Sequence, residues 1–207
     1  MLFRSVSMQG KRGQLIVISG PSGVGKSTVI AQLFIERPEL HFSVSFTTRA
    51  MRQGEQDGVN YNFVDKACFE GMIERGELLE YTQYAGNYYG TSMKIIEEQL
   101  EQGVDVLLDI EVDGAAKVRE RCPEAVLIFI IPPSFEELSR RLRSRGTDAE
   151  EVVQKRLSIA REEYKSISIY DYLVVNEKVT TATREIISIL LAESYRTKNR
   201  FYLTQEV

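Results

Sequence analysis

The sequence predicts an α/β domain in which a mostly parallel sheet is flanked by helices and interrupted by a mixed inserted lobe. Three observations carry that reading. Residues 15–18, 104–110, 125–131 and 172–175 form short, β-branched, nearly continuous apolar runs, as strands buried on both faces do. Stretches with helical spacing separate the runs, giving the strand–helix order of a doubly wound domain. Residues 41–90 break the rhythm, being rich in Tyr, Thr, Phe, Gly and Asn.

Taken in order, the first run leads through a glycine-rich turn into a helical stretch from Thr28. Phe42-Ser43-Val44-Ser45-Phe46 and Tyr61-Asn62-Phe63-Val64 alternate in polarity, so short antiparallel strands are expected there, with one helix near 65–75. Phe135, Leu138 and Leu142 follow Pro132-Pro133-Ser134 at i, i+3 and i+7, with Ser134 as N-cap and Glu137 as its capping-box partner. Ile186, Ile187, Leu190 and Leu191 form the stripe of a last helix that starts near Thr180 or Thr181. The expected organisation is a tail at 1–12, one domain at 13–193 and an extension at 194–207. Within the domain the core is 13–40 and 101–135, the lobe 41–100, the lid about 136–165, and the final core strand and helix 166–193. The extension either lengthens the last helix or docks on a neighbour.

Composition narrows the function classes. At 207 residues, with 43% apolar and 27% charged residues, the chain suits one globular domain with an insertion and not a disordered protein. A net charge of −4 argues against nucleic-acid binding through bulk charge, although a local basic site stays open. No run approaches the ~18 apolar residues of a membrane span. Residues 1–7 carry no apolar run of signal-peptide length, and Met8 is an alternative start. Cys68 and Cys122 are too few for a disulfide framework or zinc site. The single histidine, His41, leaves no histidine metal site and no Ser-His-Asp triad. The expectation is a cytoplasmic protein, monomeric or homo-oligomeric, with no nucleic-acid or membrane partner.

Gly20-Pro21-Ser22-Gly23-Val24-Gly25-Lys26-Ser27 fits G-x-x-x-x-G-K-[ST], the P-loop, with Thr28 next. Phosphates wrapped by backbone N–H groups need glycines where a Cβ would block approach. Lys26 supplies a point charge to the β/γ-phosphates, Ser27 a hydroxyl to Mg²⁺, and the following helix its positive end. The loop reads as a nucleoside triphosphate site. GTPases, ATPases, motors and small-molecule kinases all use it, so the reaction must be read elsewhere.

Ser45-Phe46-Thr47-Thr48-Arg49-Ala50-Met51-Arg52-Gln53-Gly54-Glu55, Gly58, Tyr61-Asn62-Phe63, Leu79-Glu80-Tyr81, Gly86-Asn87-Tyr88-Tyr89-Gly90-Thr91 and Leu108-Asp109-Ile110-Glu111 resemble the guanylate kinases. The resemblance runs from Gln14 to Asn176 in one order. It implies a P-loop NTPase-type sheet, transfer of the γ-phosphoryl of ATP to GMP and dGMP with Mg²⁺, and a role in purine nucleotide metabolism. It implies that Arg49, Arg52, Tyr61 and Tyr89 hold the GMP phosphate. A dianion favours forked donors, yet two arginines alone suit a solvated loop equally well.

By the same resemblance Glu80, Ser45, Thr91 and Glu111 meet guanine. The chemistry agrees: guanine offers N1–H and N2–H₂ to a carboxylate and O6 to a hydroxyl, whereas adenine N1 would face Glu80 lone pair to lone pair. Each unpaired buried group costs ~1–3 kcal/mol. Glu111 stands where the family pattern has Asp, and Thr91 where it has Ser. The resemblance also implies that Asp109 lies near the transferred phosphoryl, where a carboxylate at a strand end orients Mg²⁺ water or the reacting groups. The arginines 140, 141, 143 and 145, with Arg156 further on, read as a solvated helix face, a nucleic-acid patch or a phosphate-closing lid. The resemblance favours the lid, with Arg145 and Arg156 over the phosphates and Arg141 as companion, and it brings Asn176 to the adenine of ATP. Two rivals remain at this point: a non-catalytic interaction module of the same family, and a P-loop kinase for another small acceptor.

Overall fold

The computed structural model describes residues 11–84, 86–144, 149–200 and 203. The expected tail before residue 11, Arg145 and nearly all of the chain after residue 200 lie outside these residues. In chain order the elements are β1 (Leu15–Ser19), α1 (Lys26–Glu36), β2 (His41–Phe42), β3 (Phe46–Thr47), β4 (Asn62–Phe63) and α2 (Lys66–Glu74). Next come β5 (Leu78–Tyr84), β6 (Asn87–Ser92), α3 (Met93–Glu101), β7 (Val106–Asp109), α4 (Val112–Arg121) and β8 (Val126–Ile131). The chain ends with α5 (Phe135–Ser144), α6 (Glu150–Lys165), β9 (Tyr172–Val175), α7 (Val179–Ser194) and α8 (Thr197–Arg200).

β1 is buried along its whole length because it is the central strand of a parallel sheet ordered β2-β7-β1-β8-β9. Its side chains alternate between two cores, as the period of a strand requires. Ile16 and Ile18 pack with Val29 and Leu33 of α1 and Ala182, Ile186 and Leu190 of α7. Leu15 and Val17 pack on the other face with Ile96 and Leu100 of α3 and Ala115 and Val118 of α4. The result is three layers, with the strand ends free to carry the site. Among the described residues no helix is long and apolar enough to cross a membrane.

The lobe and the lid have their own small cores. Phe69, Met72 and Leu78 fill the lobe, and Leu138, Leu142, Val153, Leu157 and Ala160 join α5 to α6. At roughly 1.5–3 kcal/mol per buried side chain, three residues cannot hold a lobe together by themselves. β5 supplies the anchor. Leu78 faces the lobe core, whereas Leu79 enters the main core across a register shift between Leu78 and Glu80.

The alternation at 42–46 is divided in the structure. β2 joins the core sheet beside β7, and β3 enters the lobe sheet, ordered β4-β3-β6-β5. The β3–β4 pair is parallel, not antiparallel. Helix α1 begins at Lys26, two residues before the expected Thr28. Ser134 accepts the N–H of Glu137 at 3.1 Å, but the Glu137 carboxylate turns to Arg140 and Arg141 at 2.7 and 2.8 Å. Two guanidinium groups outcompete one backbone N–H, which leaves the expected capping box half made.

Candidate active site

The phosphate loop sits between β1 and α1. Gly25 caps α1 with φ 93°, a left-handed conformation that strains any L side chain. An added Cβ there would also lie 2.6 Å from Nδ2 of Asn176. The N–H groups of Lys26 and Ser27, at the open end of α1, meet no backbone acceptor among the described residues, and Ser27 and Thr28 are exposed. This is a vacant donor array at a positive helix end.

Lys26 reaches across to β7, its Nζ 2.7 Å from Oδ1 of Asp109. Burial pushes the Lys26 pKa down, but the charges of Asp109, Glu111 and Glu163 more than reverse this and leave it raised. The ammonium is therefore retained at any physiological pH. No group of three or more His, Cys, Asp and Glu side chains among the described residues could hold a metal by itself. The available oxygens are the Ser27 hydroxyl and the Asp109 carboxylate, a set that suits a hard ion arriving with a phosphate and keeping its own waters.

The lobe brings the expected clamp together. The guanidinium of Arg49 stacks over Tyr61, 5.4 Å from the ring centroid, and the Tyr61 and Tyr89 rings are 5.9 Å apart. Burial raises the Tyr61 pKa, and the charges of Tyr89, Arg49 and Asp109 also act on it. Arg52 is exposed at the rim of the same loop.

The other expected recognition residues line β5, β6 and the start of α4. Glu80 is 4% exposed and accepts the hydroxyl of fully buried Thr91 at 2.7 Å. Burial raises its pKa, and the Thr91 hydroxyl and the charge of Lys117 oppose that. Lys117 and Arg121 of α4 donate to the carbonyls of Tyr81 and Leu78, so α4 pins β5 on both sides of Glu80. Ser45 is half-buried, and Glu111 stands exposed at the N-cap of α4 without a capping bond.

Two expected phosphate or base contacts lie behind the loop in this structure. Arg141 donates to the carbonyls of Val24 at 3.1 Å and Asn176 at 2.9 Å, bracing the loop instead of reaching over it. Asn176 is 3% exposed and gives its Nδ2–H to the same Val24 carbonyl at 2.8 Å. The cause is a crowded seam in which α5 sits directly on the loop, Leu142 packing against Gly23. Arg156 lies half-buried on α6, and Arg145 falls outside the described residues.

Three contributors were not singled out from the sequence. Glu55 forks onto Arg49, and an acidic residue six positions after one arginine and three after another was a legible signal. Gly114 faces Glu80, hinted at by a glycine inside a helix. Glu163 is one of many charged residues on α6, and no local signal marks it. A cavity of about 750 Å³ lined by Arg12, Gln14, Glu97, Arg121 and Lys198 lies at the opposite end of β1 from this chemistry.

Comparison with known proteins agrees with this arrangement. The guanylate kinase family model matches residues 12–193. A guanylate kinase of Desulfitobacterium hafniense is 47% identical over 97% of this chain and 100% of its own. One of Clostridioides difficile is 52% identical over 88% of this chain and 89% of its own. The crystal structure of guanylate kinase from Anaplasma phagocytophilum superposes with a TM-score of 0.73 at 38% identity, covering 92% of this chain and 91% of that one. With the phosphate loop, the paired Lys26 and Asp109 and the arginine–tyrosine lobe all within the matched span, the chain belongs to the guanylate kinase family.

Proposed function

We propose that this chain transfers the γ-phosphoryl group of ATP to GMP, and to dGMP, giving ADP and GDP in the purine nucleotide metabolism of the cytoplasm. One observation carries the reading: Nζ of the phosphate-loop lysine lies 2.7 Å from Asp109, at the end of the strand that follows the lobe holding the Arg49–Tyr61–Tyr89 cluster.

The loop N–H groups and Lys26 hold the triphosphate, and Arg49, Arg52, Tyr61 and Tyr89 hold the monophosphate. Ser27, with Asp109 through water, would hold a Mg²⁺ arriving with ATP, which would supply charge neutralisation at the phosphates. Glu80 and Thr91, with Ser45 and Glu111, read the guanine edge. Phosphoryl transfer asks mainly for alignment and charge stabilisation, so Asp109 serves as an orienting group and not as an obligatory base. The separate small cores of lobe 41–100 and lid 136–165 let each move as a unit. Closure brings Arg156 over the phosphates, with Arg141 and Asn176 bracing the loop from behind, and excludes water that would hydrolyse ATP. Lys26 and the lid arginines argue against a non-catalytic module, and Glu80 against an AMP or pyrimidine acceptor.

The test is ADP release by purified protein with ATP, Mg²⁺ and GMP, dGMP, AMP, CMP or UMP. GMP and dGMP are expected to turn over, with AMP slower by roughly 100-fold or more in kcat/KM. Equal turnover of AMP would overturn the reading.

A further inference from the structure

We propose that Glu55 organises the monophosphate clamp, fixing the Arg49 guanidinium and the turn at Arg52 so that one edge of Arg49 stays open to the acceptor phosphate. This rests on the GMP reading above and adds a residue to it. The Glu55 carboxylate takes Nη2–H of Arg49 at 2.7 Å and Nη1–H at 3.0 Å. The second Nη1–H goes to the carbonyl of Ala50 at 2.7 Å. The same carboxylate accepts the backbone N–H of Arg52 at 2.8 Å, and the Glu55 N–H returns to the Arg52 carbonyl at 3.1 Å. One side chain thus ties both clamp arginines, the first by its guanidinium and the second by its backbone.

Counting donors shows what remains. A guanidinium has five N–H groups. Ala50 and Glu55 occupy both on Nη1 and one on Nη2. Nε–H and the outer Nη2–H are left, side by side on one edge, which is the fork that matches two phosphate oxygens. Tyr61 and Phe63 flank the guanidinium, with its carbon 5.4 and 5.7 Å from their ring centroids. The side chains of Arg49 and Glu55 are 13% and 19% exposed, so this pair is not one of the mobile surface contacts that contribute little.

Two opposite effects of Glu55 are separable. As a counter-charge it weakens the pull of Arg49 on a dianion, so removing it would tighten GMP. As a brace it spares the ordering of a long side chain on binding, so removing it would loosen GMP. The number of bonds spent on Arg49 and on the Arg52 backbone favours the brace.

The test compares the parent enzyme with Glu55→Ala, Glu55→Gln, Glu55→Asp, Arg49→Ala and the double variant Arg49→Ala/Glu55→Ala, using steady-state kinetics and calorimetric GMP titration. Glu55→Ala is expected to raise KM and Kd for GMP about 10-fold or more, with KM for ATP unchanged within about twofold. Glu55→Gln, which puts an N–H toward Arg49, is expected to be as impaired, and Glu55→Asp to recover part of the loss. In the double variant the loss of Glu55 should add less than about threefold to that of Arg49→Ala, since it acts mainly through Arg49. Unchanged or tighter GMP binding in Glu55→Ala and Glu55→Gln, equal effects on ATP, or full additivity in the double variant overturns the proposal. A parent that does not phosphorylate GMP, or an Arg49→Ala that binds GMP normally, instead overturns the functional reading beneath it.

Discussion

The ammonium of Lys26 lies 2.7 Å from Oδ1 of Asp109, with side chains 14% and 27% exposed. This ion pair ties the start of α1 to the end of the strand that follows the inserted lobe. It fixes where the lysine charge sits, largely covered, between the phosphate loop and β7.

Replacing Lys26 by alanine is therefore expected to lower kcat by roughly 100- to 1,000-fold, the scale on which one preorganised charge contact acts. The circular dichroism spectrum should match that of the parent, because the core packs without this side chain. Substantial retained turnover would refute the assignment of the loop.

Gly114 of α4 faces Glu80 so closely that an added Cβ would lie 3.0 Å from Oε2 and 3.3 Å from Cδ1 of Ile110. Gly114→Ala must push the carboxylate off its place against Thr91. KM for GMP is expected to rise about 10-fold, since small misplacements at a recognition site are costly. Thermal stability should change little, since the ~1 kcal/mol by which alanine favours a helix over glycine is set against the crowding of Glu80 and Ile110. An unchanged KM for GMP in stability-matched protein would sink this role for Gly114.

Glu163 carries a pH signature. Burial, with the charges of Glu111 and Asp113 and against that of Lys26, raises its pKa from 4.5 to about 7, and its Oε2 has no partner among the described residues. A carboxyl group with a raised folded-state pKa binds its proton more tightly in the native state. It is neutral to folding below 4.5 and opposes folding increasingly as pH rises to about 7, with the full effect above that. Glu163→Gln is expected to melt higher than the parent, by a margin that widens from about pH 5 to about pH 8. A margin independent of pH would contradict the burial of this charge.

Much of the molecule was legible in the sequence where the information is local. The phosphate loop is eight adjacent residues whose types dictate its backbone, and β1, β7 and β8 show as apolar runs because both faces are covered, whereas the edge strand β9 is an apolar run left half exposed. The lobe residues resembling a guanylate kinase are contiguous enough to be matched as motifs, and the structure gathers Arg49, Tyr61 and Tyr89 as expected. The alternation at 42–46 misled because polarity period reports burial and says nothing about which sheet supplies the partner.

The amino-acid order alone thus determined the α/β class, the phosphate-loop motif and the resemblance to the guanylate kinases. Only the folded chain decided that Arg141 and Asn176 converge on the carbonyl of Val24 from 117 and 152 residues away, that Gly114 makes room for Glu80, and that Asp109 takes the lysine. Bonds between near neighbours follow from residue type and spacing. Those between distant ones exist only once hydrophobic burial has brought the helices and strands into one set of layers.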